Sequence, residues 1–170
     1  KITGTEETTG CGTRGIYEFM TPEETGAGRM ASKNRRGVDG FMNVIERGWQ
    51  FYDSHDWASG LFYWTGFDYR GEPDPLVYPA VGSQFGILDY CGFPKDEAWY
   101  LKSWWTNEDV LHVFPHWNLH GHEGEKISLW VYSNCDEVEL TVNGHNLGRK
   151  PMPRNSHLEW TAVYHPGKVV

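Results

Sequence analysis

The sequence predicts an α/β part followed by an all-β part, with the change near Thr106. Three observations predict the first part and two the second. A strand-like Lys1–Thr5, apolar residues at roughly helical spacing through Val38–Trp57, and an apolar run at Leu61–Phe67 read as strand, helix, strand. That order is the unit of an α/β sheet or barrel. Downstream, period-two segments dominate at Val110–Trp117, Lys126–Ser133, Glu137–Val142 and Leu158–Tyr164. Asn143-Gly144 sits between two extended segments, a strong hairpin signal.

Taken in order, the first strand is expected to end at Glu6 and Glu7. A Gly- and Thr-rich segment follows through Arg14, then a long loop over Thr21–Gly37, a length that marks functional or mobile loops. In the helix, Phe41, Val44, Ile45, Trp49, Phe51 and Tyr52 supply an apolar face for the strand at Leu61–Phe67. His55 and Asp56 fall near the helix end, where a histidine suits the dipole, and read as structural. A loop over Tyr69–Val81 and a short apolar turn at Phe85–Leu88 come next. Pro94–Trp105 reads as a helix with proline near its start and acids in its first turn. Its Trp99, Leu101, Trp104 and Trp105 are expected to face the core. Two domains follow, residues 1–106 and 107–170, the second a β-sandwich. The chain opens on Lys1-Ile2 without Met and closes partway into a strand, so both ends are expected to be internal to a longer parent chain.

Composition narrows the function classes. A hydrophobic share of 39% supports a packed core, and no run is long enough to cross a membrane. The formal charge of −8 with no basic cluster argues against a nucleic-acid partner. Aromatics at 15%, with nine Trp and nine Tyr, are enriched as in many carbohydrate-active proteins and in β-rich cores. Cys11, Cys91 and Cys135 are widely spaced and odd in number, giving neither a disulfide framework nor a zinc site. His112, His116, His120 and His122 have no carboxylate or cysteine at ligand spacing and read as a strand face. No metal and no cofactor is expected.

The most informative stretch is Gly60–Asp74, where an apolar and aromatic run passes at once into Asp68, Arg70, Glu72 and Asp74 among Gly and Pro. Side chains at the end of such a strand reach a loop-rich face, where barrel enzymes place their chemistry. Trp64 and Asp68 there would pair an aromatic platform with a carboxylate. Indole stacks on the apolar face of a pyranose, whose hydroxyls donate to the carboxylate. A core strand followed by a polar loop is the plainer account.

Three stretches together carry a family resemblance: Ile2-Thr-Gly-Thr-Glu-Glu7, Gly60 to Pro75, and Ser83-Gln-Phe-Gly-Ile-Leu-Asp-Tyr-Cys-Gly-Phe-Pro-Lys-Asp96. In that order they resemble the last part of a glycoside hydrolase family 2 barrel, with the nearest likeness to β-galactosidases of gut Bacteroidetes. Tyr132-Ser-Asn-Cys-Asp-Glu-Val-Glu-Leu, followed by Val142-Asn-Gly144, is similar to the immunoglobulin-like domain that follows that barrel. The resemblance implies the C-terminal portion of a (β/α)8 barrel plus a partial immunoglobulin-like sandwich. The rest of the parent chain would complete the barrel, in a periplasmic or extracellular enzyme.

The resemblance also implies roles. A retaining glycosidase uses two carboxyl groups about 5–5.5 Å apart. Glu6 matches the family nucleophile, and Glu7 is its rival. Adjacent strand residues point to opposite sides, so only one of them faces the site. The general acid/base lies upstream in the family, before Lys1. Trp64 and Asp68 match the family's Trp-x-x-x-Asp. For Trp64 the alternatives are sugar stacking and barrel packing. For Asp68 they are accepting from sugar hydroxyls, orienting a neighbour, and capping a turn. Arg14 is either a donor that keeps Glu6 ionised or a loop ion pair. Family members that take glucuronides hold the sugar carboxylate with Asn-x-Lys, where this chain has Ser83-Gln-Phe85. A neutral β-galactoside fits better, with a mannoside also compatible. A non-catalytic carbohydrate-binding or interaction sandwich is the other function class.

Overall fold

The computed structural model describes residues 1–7, 10, 12–25, 41–73 and 76–170. Cys11, residues 38–40 of the expected helix, Asp74 and most of the expected loop over 21–37 lie outside them. The chain divides into two compact units, Lys1–Ala98 and Trp99–Val170.

The first unit opens on β1 (Ile2–Glu7), then α1 (Pro22–Thr25), α2 (Phe41–Asp53) and β2 (Ala58–Tyr63). β1 ends at the two glutamates as expected, with β2 alongside as a parallel partner and Glu7 opposite Tyr63. Parallel neighbours need a crossover, which the helices supply. Thr21 and Glu24 start α1 with a reciprocal capping box. The Glu24 N–H donates to Thr21 Oγ1 at 3.3 Å, and the Thr21 N–H donates to the Glu24 carboxylate. The end of α2 is closed by His55, whose Nδ1 lies 2.8 Å from the Phe51 carbonyl, in keeping with its structural reading. Ile45 is buried against the strands, whereas Val44 and Phe51 stay exposed, since a two-stranded sheet covers only part of a helix face.

The apolar run at 61–67 does not stay in one strand. β2 ends at Tyr63, and the Trp64–Thr65 peptide is cis. Residues 65–68 then change partner and bond to residues 85–88. Thr65 N–H donates to the Phe85 carbonyl at 3.3 Å, Ile87 to Thr65 and Leu88 to Gly66 at 3.0 Å, and Asp68 to Leu88 at 3.0 Å. The expected loop at 69–81 is closed at its base by β3 (Tyr69–Arg70) and β4 (Gly82–Ser83), an antiparallel pair. Arg14 and Tyr17 tie their segment to the loop before the next helix. Arg14 Nε lies 2.7 Å from Asp89 Oδ2, and Tyr17 OH donates to Asp96 Oδ2 at 2.9 Å.

That helix is α3 (Asp96–Trp105), and the unit boundary falls inside it, ahead of the change near Thr106. Its later residues belong with the β part: Trp99 stacks on His112 at 5.2 Å and Tyr100 OH donates to the Asn155 carbonyl at 2.9 Å. The buried stripe runs through Glu97, Tyr100 and Leu101, at i, i+3 and i+4. Trp105, expected in the core, is exposed because it falls off that stripe.

The second unit continues with β5 (Leu111–Phe114), β6 (Lys126–Ser133), β7 (Glu137–Val142), β8 (His145–Pro151) and β9 (Leu158–Val163). β5, β6 and β9 form one antiparallel sheet, and β7 with β8 another. Every second residue points inward. Leu129 and Val131 of β6, Val138, Leu140 and Val142 of β7, and Leu158, Trp160 and Ala162 of β9 meet in one buried cluster. The two sheets therefore pack face to face as a sandwich. Asn143 and Gly144, at φ 50° and 81°, form the two-residue hairpin turn between β7 and β8. His112 is taken up by stacking on Trp99 and Phe114, as a packed strand face. Cys91 and Cys135 are free and exposed. Among the described residues no helix is long and apolar enough to cross a membrane.

Two consequences are measurable. Leu129 is fully buried, so Leu129→Ala should cost about 2–5 kcal/mol in urea unfolding followed by near-UV circular dichroism. Leu111→Ala, on the exposed side of β5, should stay within about 0.5 kcal/mol. Asp89 gives a pH signature. Desolvation pushes its carboxyl up, but Arg14 and the Phe93 and Cys91 amides outweigh it and hold the group below its ordinary range. A depressed carboxyl stabilises the fold above its unfolded pKa of about 3.9 and loses that contribution as pH falls through the lower folded value. Asp89→Asn should therefore lower stability at neutral pH and flatten its decline below about pH 4. An unchanged acid limb would contradict the pairing.

Candidate functional site

The C-terminal ends of β1 and β2 converge at Glu6, Glu7 and Trp64. The Trp64 N–H donates to the Glu7 carbonyl at 3.3 Å, which fixes the two strand ends side by side. The glutamates differ in what surrounds them. Glu7 is half-buried and its Oε1 accepts a hydrogen bond from Tyr52 OH of α2 at 2.9 Å. Desolvation, together with the Glu7 carboxylate, pushes the Tyr52 phenol up, so the bond stays a phenol donating to a carboxylate. Glycine is required at position 4, because a Cβ there would lie 2.3 Å from Tyr52 Oη and 2.2 Å from Glu7 Cγ. One extra residue of β1 between the Gly4 and Glu7 pairings places both on this helix side. Glu6 is exposed, and its side chain makes no hydrogen bond or ion pair among the described residues.

Trp64 keeps 38% of its surface exposed. Its indole N–H reaches Tyr69 OH at 3.4 Å, and the two rings meet edge to face at 6.0 Å. Tyr69 OH in turn donates to Glu72 Oε2 at 2.9 Å. The indole is thus held at one edge and available on its surface.

Asp68 occupies a different setting from the one expected of a sugar-facing carboxylate. It is buried, and its Oδ1 accepts from Lys95 Nζ at 2.6 Å and from the Gly86 N–H at 3.0 Å. Burial pushes its carboxyl up from the ordinary range against the opposing pull of Lys95 and Gly86. Of its sequence alternatives, orienting neighbouring groups is the one this geometry matches. Arg14 likewise pairs with Asp89 and lies over the Phe93 ring at 5.0 Å, with no bond to Glu6. It is the loop ion pair of the two alternatives, because the segment after β1 brings it onto the 89–93 turn.

Glu6 thus lies at the end of β1 and Trp64 just after β2, whereas Asp68 pairs with Lys95 and Arg14 with Asp89. Sequence reasoning missed Tyr52, Tyr69 and Lys95. Tyr52 was legible only as part of an apolar helix face, and Lys95 as an ordinary charged residue near a helix start. Only the three-dimensional partners reveal their roles. Among the described residues no group of three metal-ligating side chains occurs. The end of β1 thus presents an exposed carboxylate, and the end of β2 a partly exposed indole that can stack on a flat ligand.

Residues 124–170 match a family model described as a domain of unknown function (DUF4982). The chain is 46% identical over 130 residues to β-galactosidase BoGH2A of Bacteroides ovatus, covering 75% of this chain and 15% of that protein. It superposes on a β-glycosidase from Bacteroides vulgatus with a TM-score of 0.80 and 30% identity, over 98% of this chain and 25% of that one. A glycosyl hydrolase family 2 member from Bacteroides cellulosilyticus matches with a TM-score of 0.62 and 28% identity, over 71% and 20%. Bacteroidetes β-glucuronidases are among the similar proteins as well. The chain therefore spans a small part of the length of its relatives. By sequence and by structure it belongs to glycoside hydrolase family 2, in the group shared by Bacteroidetes β-galactosidases and β-glucuronidases.

Proposed function

We propose that this chain is the end of the catalytic barrel and the start of the following immunoglobulin-like domain of a retaining β-galactosidase, with Glu6 as nucleophile. The observation that carries the assignment is the contrast between the two glutamates. Tyr52 engages Glu7 on the helix side, while the Glu6 side chain is exposed at the end of β1 with no bonding partner among the described residues. An attacking carboxylate must be ionised and accessible, so that an oxygen lone pair can form the bond to the anomeric carbon. Trp64 supplies a stacking surface that orients the ring without a directional bond. The second carboxyl group, which protonates the leaving oxygen, is assigned to the parent chain outside these residues. The domain ranges 1–106 and 107–170 belong to the same reading.

The galactoside preference rests on residues 83–85. Ser83, Gln84 and Phe85 carry no cation, and the buried ammonium of Lys95 is taken up by Asp68 and the Gln84 carbonyl. A sugar carboxylate would find no free positive partner in that segment. A purely binding sandwich is disfavoured by its aromatics, since Trp130 and Trp160 on the strands are buried rather than displayed in a row.

Three outcomes follow. In the parent enzyme, Glu6→Gln should abolish turnover, whereas Glu7→Gln should keep kcat/KM within about tenfold, the scale of one lost hydrogen bond. The reverse pattern would exchange the two roles. The isolated chain, assayed on an unactivated β-galactoside, should be slower than the parent enzyme by at least about 10²–10⁴-fold, the contribution of general acid catalysis. An ordinary kcat from the isolated chain would sink the reading. Finally, kcat/KM of the parent enzyme should be higher for an aryl β-galactoside than for the matching β-glucuronide. The opposite preference would move the substrate class while leaving the nucleophile assignment in place.

A further inference from the structure

We propose that Lys95 is a positioning residue for Trp64, acting through Asp68, an inference that rests on the glycosidase reading above. Lys95 has a fully buried side chain. Its Nζ donates to Asp68 Oδ1 at 2.6 Å and to the Gln84 carbonyl at 2.9 Å, and its own N–H donates to the Ile87 carbonyl at 2.9 Å. Asp68 Oδ1 also takes the Gly86 N–H. All these bonds fall on two neighbouring segments, residues 65–68 and 84–88. The first begins immediately after Trp64.

The two backbones approach so closely at Gly86 that a Cβ there would lie 2.2 Å from Asp68 N and 2.2 Å from the Phe67 carbonyl carbon. A lysine below such a contact does more than fill space. A buried ion pair can often be exchanged for apolar residues of similar volume without loss of stability. Apolar residues have no directional bonds, so they cannot fix the register of residues 65–68 against 84–88. That register decides where the indole of Trp64 stands beside the end of β1. Displacement of a positioning group by about 1 Å is enough to lower a rate about 10²-fold.

The test uses the parent enzyme labelled with 5-fluorotryptophan, its Trp64 signal assigned through Trp64→Phe. The informative variant is Lys95→Met combined with Asp68→Leu, which removes both charges together. The expected result is a thermal midpoint close to the native one, a shifted or broadened Trp64 resonance, unchanged Trp130 and Trp160 resonances, and kcat/KM lowered about 10²-fold. A folded double variant with native Trp64 resonance and native kcat/KM overturns the inference, since the pair would then serve stability alone. If the double variant does not fold, Asp68→Asn keeps the shape and weakens the pair. Its Trp64 resonance should move, and an unmoved resonance with unmoved kcat/KM overturns the inference equally. A native enzyme inert on β-glycosides, with a Trp64 resonance that still moves, would overturn the glycosidase reading and leave the positioning role standing.

Discussion

The buried pair of Lys95 and Asp68 is the constraint on which the arrangement of the first unit depends. An ammonium without solvent access is tolerable only when every nearby acceptor faces it, and here a carboxylate and a main-chain carbonyl do so. Removing one partner alone would leave a buried charge uncompensated, at a cost of about 3–5 kcal/mol. The pair therefore holds the segment after β2 and the segment before α3 in one fixed relation. The hairpin of β3 and β4 is built on that relation, and so is the Arg14 contact with the 89–93 turn. Trp64 stands where the strand ends and this fastened region begins.

The second organising contact is between α2 and β1. Tyr52 approaches the strand so closely that only glycine fits at position 4, and its hydroxyl engages Glu7. Neighbouring carboxylates of the same type thereby acquire different surroundings. Glu7 is part of the packing between helix and strand, and Glu6 is exposed at the strand end. The difference arises because the crossover that joins two parallel strands brings a helix to one side of them.

The β part was legible in the sequence because its signals are local. Alternating Val138, Leu140 and Val142, or Leu158, Trp160 and Ala162, reveal their buried face by period alone, and Asn143-Gly144 declares its turn. The strand-helix-strand start was legible for a similar reason. The end of β2 was not, because the apolar run continues through Phe67 while the backbone changes partner after Trp64. The buried face of α3 was misplaced toward Trp105, since tryptophans drew the expected stripe while Glu97 and Tyr100 actually fill it. In the candidate site, Glu6 and Trp64 are proposed from motif order. The framework roles of Asp68, Arg14 and Lys95 depend on partners up to 75 positions away, which no local pattern encodes.

The central claim is that Glu6, and not its neighbour, forms the covalent bond to the sugar. Treating the parent enzyme with an activated 2-deoxy-2-fluoro-β-galactoside tests it most directly. Fluorine at C2 slows both formation and breakdown of the glycosyl-enzyme, and the activated leaving group restores the rate of formation alone, so the intermediate accumulates. Peptide mapping by mass spectrometry should then find the sugar on Glu6 and leave Glu7 unmodified. Label on Glu7, on a carboxylate elsewhere in the chain, or on none under conditions of time-dependent inactivation would contradict the account.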